Sequence, residues 1–118
     1  MKYDHRKERT RRFALQVVQA MTPLHDHPVG AWAAHQGIRS SMSVACNYRA
    51  ACRAKSKADF IAKMGTVEEE SDEAEFWLGV LVDLHALDEK VASPLRAEAG
   101  EITAIVVASI NTARGGSR

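Results

Sequence analysis

Proline, cysteine and aromatic residues are scarce in this sequence, and the β-branched alternation that is typical of strands is missing. The 118 residues include three prolines, two cysteines and 6% aromatic residues. Away from Pro23, Pro28 and Pro94 nothing interrupts a helix-compatible composition, which predicts an all-α fold. Cys46 and Cys52 lie six positions apart, on different faces of one helix, so they cannot bridge each other there. We expect them to be buried or half-buried thiols in a reducing compartment.

Long apolar runs are also missing. No stretch approaches the roughly 20 apolar residues that cross a bilayer. The amino-terminal segment MKYDHRKERTRRF lacks the apolar stretch of a signal peptide, so we expect a cytoplasmic protein. The length and the 46% apolar content suit one domain around one core. We expect this domain to span 1–118, with its core over about 5–113 and a frayed tail over 114–118.

Turn and capping residues divide the chain into four predicted helices. A helix cannot easily continue into Pro23, whereas Pro28 suits the first turn of a new helix. Ser56 is a good N-cap, and Ser93-Pro94 offers another cap and first turn. The predicted helices run over about 5–21, from 28 or 29 to about 53, from 56 to about 87, and from 93 to about 113. Four helices with short loops predict an up-down antiparallel four-helix bundle.

The third predicted helix has the apolar pattern of a bundle helix. Steps of four and three residues alternate along one stripe of it, as packing against neighbouring helices requires. The stripe comprises Phe60, Met64, Val67, Ser71, Ala74, Leu78, Leu81 and His85. We expect this stripe to face the core.

The net charge of +1 conceals a division of the chain into two halves. Residues 1–58 hold eleven Lys or Arg against three Asp or Glu, a balance of +8. Residues 59–118 hold five against twelve, a balance of −7. Such a division can steer nucleic acid to one surface, and it can equally bring the basic surface of one subunit to the acidic surface of another.

One narrow face of the second predicted helix is polar. Its residues recur at steps of three and four, so they share an arc of about 100°. They are Gln36, Arg39, Ser40, Ser43 and Asn47. Small polar side chains allow helices to approach closely, and an ion pair between Arg39 and Glu73 would fix the register of two helices. We therefore predict a structural latch formed by Gln36, Arg39, Ser43, Asn47 and Glu73.

The order of these residues resembles a known family of four-helix bundles. The shared pattern is Gln36, Arg39-Ser40, Ser43, Asn47, Ser56-Lys57, Phe60-Ile61, Glu73 and Leu78. It is similar to the intervening-sequence proteins of large-subunit ribosomal RNA genes and, more distantly, to the accessory variability determinant of diversity-generating retroelements. The sequence departs from the usual pattern at Arg49-Ala50, where the family has Glu-Gly, and this makes the helix longer and more basic.

The resemblance implies a four-helix subunit in a homopentameric ring. It also implies a partner, either RNA or DNA or a protein that handles nucleic acid, and it implies neither a cofactor nor an enzymatic activity. A purely structural assembly protein is a further alternative.

Basic residues cluster where the first predicted helix begins and the second ends, and in an up-down bundle these two places lie together. The candidate nucleic-acid-binding residues are Arg6, Arg9, Arg12, Arg49, Arg53, Lys55 and Lys57, with Lys7 and Arg11 nearby. Such cations bind phosphates and discriminate poorly between base sequences. Only Tyr3 and Tyr48 could stack on bases. The alternative for this cluster is a solvated basic end or a salt-bridged subunit contact.

Three further groups of residues carry competing hypotheses. Trp32, Phe76 and Trp77 exceed the room available in a small bundle core, which predicts a subunit interface. The spacing Glu70-x-x-Glu73 and Glu98-x-x-Glu101 is reminiscent of all-α nucleotide pyrophosphohydrolases, which hold Mg²⁺ with paired acids. The tripeptide His25-Asp-His27 could supply metal ligands, although a polar loop before proline is its commoner meaning. We expect no metal and no cofactor.

Overall fold

The structure, a computed structural model, describes residues 2–115, with side chains from His5 onward. Four helices follow one another: α1 (Lys2–Met21), α2 (Ala31–Ala51), α3 (Lys57–Asp83) and α4 (Glu89–Ala113). A single 3₁₀ turn, Thr22–Leu24, follows α1 where Pro23 was expected to end that helix. Residues 2–115 contain no strand, so the predicted all-α four-helix bundle is confirmed. Residues 116–118 of the predicted tail lie outside the described part of the chain.

Neighbouring helices run antiparallel, because residues later in one helix contact residues earlier in the next. Along α2 and α3, Trp32 meets Trp77 whereas Arg39, further on, meets the earlier Glu73. The same reversal relates α1 to α4 and α3 to α4. Each helix is therefore antiparallel to its neighbours, and the bundle measures 47 × 24 × 22 Å. The starts of α1 and α3 and the ends of α2 and α4 consequently lie at one end of the bundle.

The second helix begins later than Pro28, and the prediction of its start was wrong. Residues 27–30 form a turn in which Nδ1 of His27 accepts the backbone N–H of Gly30 at 2.9 Å and that of Val29 at 3.2 Å. These bonds hold the turn that precedes the helix, whose N-cap residue is Gly30. Pro28 therefore lies in this turn, and α2 starts at Ala31.

The third helix ends at Asp83, before the predicted boundary at Leu87. His85 has a φ of 59°, a left-handed conformation that terminates the helix. The backbone N–H groups of Ala86 and Leu87 then bond the carbonyl of Leu81, at 2.9 and 3.2 Å. His85 is exposed, so its predicted place on the core stripe was also wrong.

The fourth helix starts before Ser93-Pro94, and the predicted cap at Ser93 was wrong. Asp88 is the N-cap, with its side chain accepting the N–H of Lys90 at 2.9 Å, and Pro94 lies inside the helix. Ser56, in contrast, caps α3 as predicted, because its hydroxyl accepts the N–H of Asp59 at 3.0 Å. Asp88 suits the start of α4 for two reasons: its carboxylate accepts a backbone N–H, and its negative charge complements the helix dipole.

The core combines apolar side chains with a few small polar ones. The largest fully buried side chains include Phe13, Met21, Tyr48 and Leu78. Ser71, also fully buried, places its hydroxyl 2.7 Å from that of Thr103 on α4. The first half of the inner face of α2 is built from small buried residues, Ala33, Ala34, Gly37, Ser40 and Ser41, whereas Val44 and Tyr48 are the larger buried residues further along it. These small side chains allow α2 to approach its neighbours closely.

Gly37 should tolerate alanine worse than Gly100 does. A Cβ at Gly37 would lie 2.4 Å from Sδ and Cε of the buried Met21, whereas a Cβ at Gly100 meets nothing within 4 Å. Both changes gain about 1 kcal/mol of helix propensity, but overpacking costs about 1–3 kcal/mol. We expect Gly100→Ala to raise the free energy of unfolding, and Gly37→Ala to be less stable than Gly100→Ala by about 1–3 kcal/mol. Urea denaturation measures both, and equal stabilities would contradict the close approach.

Candidate nucleic-acid interface

Arg39 joins α2 to α3 through two carboxylates. Its guanidinium donates to Oε2 of Glu73 at 2.5 Å and to Oε2 of Glu70 at 3.3 Å. Oε1 of Gln36 accepts from Nε of the same arginine at 3.3 Å. Nε1 of Trp77 donates to Glu73 at 3.0 Å, so this carboxylate holds an arginine and an indole together. The predicted contact between Arg39 and Glu73 is therefore present, and Glu70 and Trp77 extend it.

Asn47 and Ser43 form the other part of the predicted latch, and they bond each other. Nδ2 of Asn47 donates to the carbonyl and to the hydroxyl of Ser43, both at 2.9 Å. These bonds lie within α2. In this structure the pair therefore stabilises one helix and leaves the link between helices to Arg39.

Arg9 forms a second arginine cluster, which the sequence did not reveal. It donates to both oxygens of Glu98, at 2.6 and 2.9 Å, and to Glu101 at 2.6 Å. The side chain of Arg9 is 24% exposed, against 45% for Arg39. The two carboxylates raise the pKa of Arg9, Glu98 contributing most. Arg9 thus joins α1 to α4, and its donors are engaged by carboxylates rather than open to phosphate.

The two arginine clusters separate the four glutamates of the magnesium hypothesis. Glu70 and Glu73 bond an arginine on α2, whereas Glu98 and Glu101 bond an arginine on α1. The carboxylates therefore do not converge on one cation. Within residues 2–115 no group of three or more His, Cys, Asp or Glu side chains is arranged to hold a metal ion. The geometry gives the nucleotide pyrophosphohydrolase alternative no support.

The remaining basic residues gather at the end of the bundle where α1 begins, which we call the basic end. Arg12, Arg49, Arg53, Lys55 and Lys57 are exposed, and Arg6 is half-buried beside Ser109, with Nη1 3.5 Å from its hydroxyl. Among the described side chains, none forms a hydrogen bond or ion pair with Arg12, Arg49, Arg53 or Lys57. Exposed Arg114, the C-cap residue of α4, lies at the same end of the bundle. It had been predicted to belong to the frayed tail.

Acidic and aromatic groups contribute little to the basic end. The carboxylate of Asp59 is held by Nζ of Lys63 at 2.5 Å and by the backbone N–H of Lys55 at 3.2 Å. Tyr48 is buried, so the expectation that it could stack on bases was wrong, and the side chain of Tyr3 lies outside the described part. The basic end therefore offers charge with little surface for base stacking.

Two other surfaces flank α2. On the side of α1 lies an open groove with a volume of about 510 Å³, which we call the α1–α2 groove. Its main lining residues are Lys7, Arg11, Leu15, Met42, Cys46 and Arg49. Cys46 is exposed there, so the prediction of a buried or half-buried thiol holds only for Cys52.

On the side of α3 lies an exposed aromatic cluster. Trp32 is 65% exposed and Phe76 is 59% exposed. Both rings stand edge-on to Trp77, with centroids 5.2 and 5.0 Å away. The predicted interface residues thus form one cluster, at the opposite end of α2 from the basic end.

Comparison with known proteins identifies the family. The sequence matches the family described as 23S rRNA-intervening sequence protein over residues 6–108. The chain belongs to this family of rRNA intervening-sequence proteins. A crystal structure from the S23 ribosomal protein family of Bacteroides thetaiotaomicron VPI-5482, a protein with unknown function, has a TM-score of 0.82 and 27% identity to it. The match covers 88% of this chain and 96% of that one.

Two comparisons were negative. No curated protein matches the sequence. Over the described residues of this intervening-sequence protein, no helix has the length and apolar character needed to cross a membrane.

The positions that carry the family pattern are largely structural in this intervening-sequence protein. Arg39 and Glu73 join two helices, Asn47 bonds Ser43, and Ser56 caps α3. Each of these side chains bonds another part of its own chain. Because these pattern positions are engaged within the chain, the exposed cations of the basic end, of which only Lys57 belongs to the pattern, are the strongest candidate for a ligand surface.

The Arg39 cluster should make stability depend on acid pH. The pKa of Glu73 is lowered from its ordinary value of 4.5, first by the N–H of Trp77 and then by Arg39. A carboxylate with a lowered pKa stabilises the fold above its unfolded-state pKa, and the contribution is lost as pH falls through the folded-state value. We expect the stability difference between wild type and Glu73→Gln to be largest at neutral pH and to vanish in acid. Urea denaturation across this range measures it, and a difference independent of pH would contradict the assignment.

Proposed function

We propose that this protein binds nucleic acid, RNA foremost, through the phosphate groups that its basic end can reach. The family description links the chain to ribosomal RNA, and exposed cations that converge from several helices give the chemistry. The observation that carries the proposal is that Arg12, Arg49, Arg53 and Lys57 have no side-chain partner among the described residues. Arginine guanidinium and lysine ammonium groups that have no competing carboxylate bind phosphate oxygens well.

The electrostatic contrast within the molecule supports this choice of surface. The two arginines that join neighbouring helices, Arg9 and Arg39, are each neutralised by two glutamates. The cations of the basic end are left without such compensation, although the whole chain carries a formal charge of only +1. Nucleic acid would therefore be drawn to this end and repelled from the acidic stretch of α3.

The proposed mode of binding reads charge and shape rather than base sequence. Tyr48 is buried, so the described residues present no exposed tyrosine at this end, and the remaining candidates are cations. Phosphate contacts position a protein on nucleic acid but carry no sequence information directly. The expected behaviour is similar affinity for different sequences and a steep dependence on salt.

Assembly belongs to the same proposal. A homopentameric ring, which the resemblance to the family implies, would present several basic ends together. Linked sites raise the overall affinity by effective concentration without any new contact. Each subunit would then need to make only a few phosphate contacts for the whole ring to bind nucleic acid tightly.

Arg53→Gln should make the salt dependence of RNA binding shallower. Each lost phosphate contact changes the slope of log affinity against log salt by about 0.7–0.9. We expect Arg53→Gln to reduce the slope by about this amount and to weaken binding to unrelated sequences equally. Fluorescence anisotropy with single-stranded and duplex RNA and DNA, titrated over a range of salt concentrations, measures both quantities.

The matched control is Lys90→Gln, which removes one exposed positive charge at the opposite end of the bundle. Its salt slope should equal that of wild type. Binding by Arg53→Gln and Lys90→Gln with the same slope would contradict the assignment of the basic end. Wild type that fails to bind RNA or DNA even at low salt would contradict nucleic-acid binding and leave the basic end as a docking surface for an acidic protein.

A further inference from the structure

The α1–α2 groove combines an apolar floor with a basic rim. Leu15 and Met42 are large apolar side chains that remain about half exposed in it. Lys7, Arg11 and Arg49 line the same groove, against one acid, Glu8. Such a surface suits an occupant that carries exposed apolar side chains beside carboxylates.

The aromatic cluster on the other side of α2 has that chemistry. Phe76 lies on the outer face of α3 with the exposed Glu69 and Asp72, which are seven and four positions before it. Residues at these spacings share one helix face. Together with Trp32 they form a surface that we call the aromatic–acidic face. It offers two largely exposed aromatic rings beside two carboxylates.

The groove and the aromatic–acidic face cannot meet within one molecule. Both adjoin α2, but Trp32 lies near its start whereas the groove residues Met42, Cys46 and Arg49 lie near its end. A rise of 1.5 Å per residue separates these positions by about 20 Å along the helix. They also lie on different flanks of α2, since Trp32 contacts α3 and the groove is shared with α1.

We propose that the aromatic–acidic face of one copy docks into the α1–α2 groove of a second copy. This inference rests on the proposed assembly and names the surfaces that form it. The aromatic rings of one copy cover Leu15 and Met42 of the other, and Glu69 and Asp72 approach Arg11. Aromatic side chains in a desolvated pocket with a charged rim are the usual centre of a protein interface.

A contact between two unlike surfaces has a consequence for the form of the assembly. After two copies pair, one of them still has a free groove and the other a free aromatic–acidic face, so further copies can add at both ends until the assembly closes into a ring. A self-complementary contact would stop at a dimer. The proposed contact therefore accounts for a ring without requiring any symmetric patch.

Two sets of exposed substitutions test the contact. The groove variant carries Arg11→Glu and Met42→Glu, and the face variant carries Trp32→Ser and Phe76→Ser. All four side chains are exposed, so circular dichroism should show folded helices in both variants. We expect wild type to be an oligomer in sedimentation, and each variant alone to be a monomer of about 13.0 kDa.

An equimolar mixture of the two variants is the decisive sample. The groove variant retains an intact face and the face variant retains an intact groove, so the mixture should form one-to-one dimers that grow no further. The control is Ala104→Glu on the exposed side of α4, which should leave the wild-type oligomer intact. Monomeric wild type, variants that still assemble fully, or a mixture that stays monomeric would each overturn the contact.

The failure of this contact and the failure of nucleic-acid binding can be told apart, although the proposed avidity of a ring depends on assembly. Neither variant alters Arg53, Lys55 or Lys57, and Arg53→Gln alters neither docking surface. Failure of the contact would leave the salt-dependent binding of RNA to be measured on its own. Failure of RNA binding would leave the mixing experiment unchanged.

Discussion

The close approach of α2 to α1 and α3 is the constraint on which the rest of the structure depends. It is possible because the first half of the inner face of α2 carries alanine, glycine and serine, and a methyl group on Gly37 would force the buried Met21 side chain to move. Small residues bury little apolar area, so larger side chains have to fill the rest of the core. These come from α1 (Phe13 and Met21), from the second half of α2 (Val44 and Tyr48), from α3 (Leu78) and from α4 (Ile102 and Val106).

The same constraint explains why large apolar groups are exposed. Small residues occupy much of the inner face of α2, while the bulky side chains of Trp32 and Met42 lie on its outer face. Each of them lies beside a neighbouring helix that also exposes an apolar residue, Phe76 on α3 and Leu15 on α1. Close packing inside thus coincides with two apolar surfaces outside, and the charges around these surfaces have opposite signs.

Local patterns in the sequence were sufficient for the four helices but not for their ends or for the long-range ion pairs. The stripe from Met64 to Leu81 is buried as its spacing indicates. The starts of α2 and α4 were missed because Pro28 and Pro94 were assigned to first turns. Pro28 instead lies in a turn held by His27, and Asp88 caps α4 before Pro94. Arg39 could be paired with Glu73 because they lie on consecutive helices, where an acidic run faces the polar face of α2. Arg9 could not be paired with Glu98, because the two are 89 positions apart and no periodicity within one helix reports which helices become neighbours.

The hydroxyl pair of Ser71 and Thr103 has an effect beyond the core. A hydrogen bond is directional, whereas apolar contacts tolerate small rotations of a helix about its axis. This bond, 2.7 Å long, therefore fixes the rotational setting of α3 against α4. Because Asp72 and Phe76 follow Ser71 on the same helix, the direction in which they leave the surface is fixed as well. In the proposed assembly, that direction would set the angle between successive subunits, and so the hydrogen bond between Ser71 and Thr103 would bear on how many copies complete a ring.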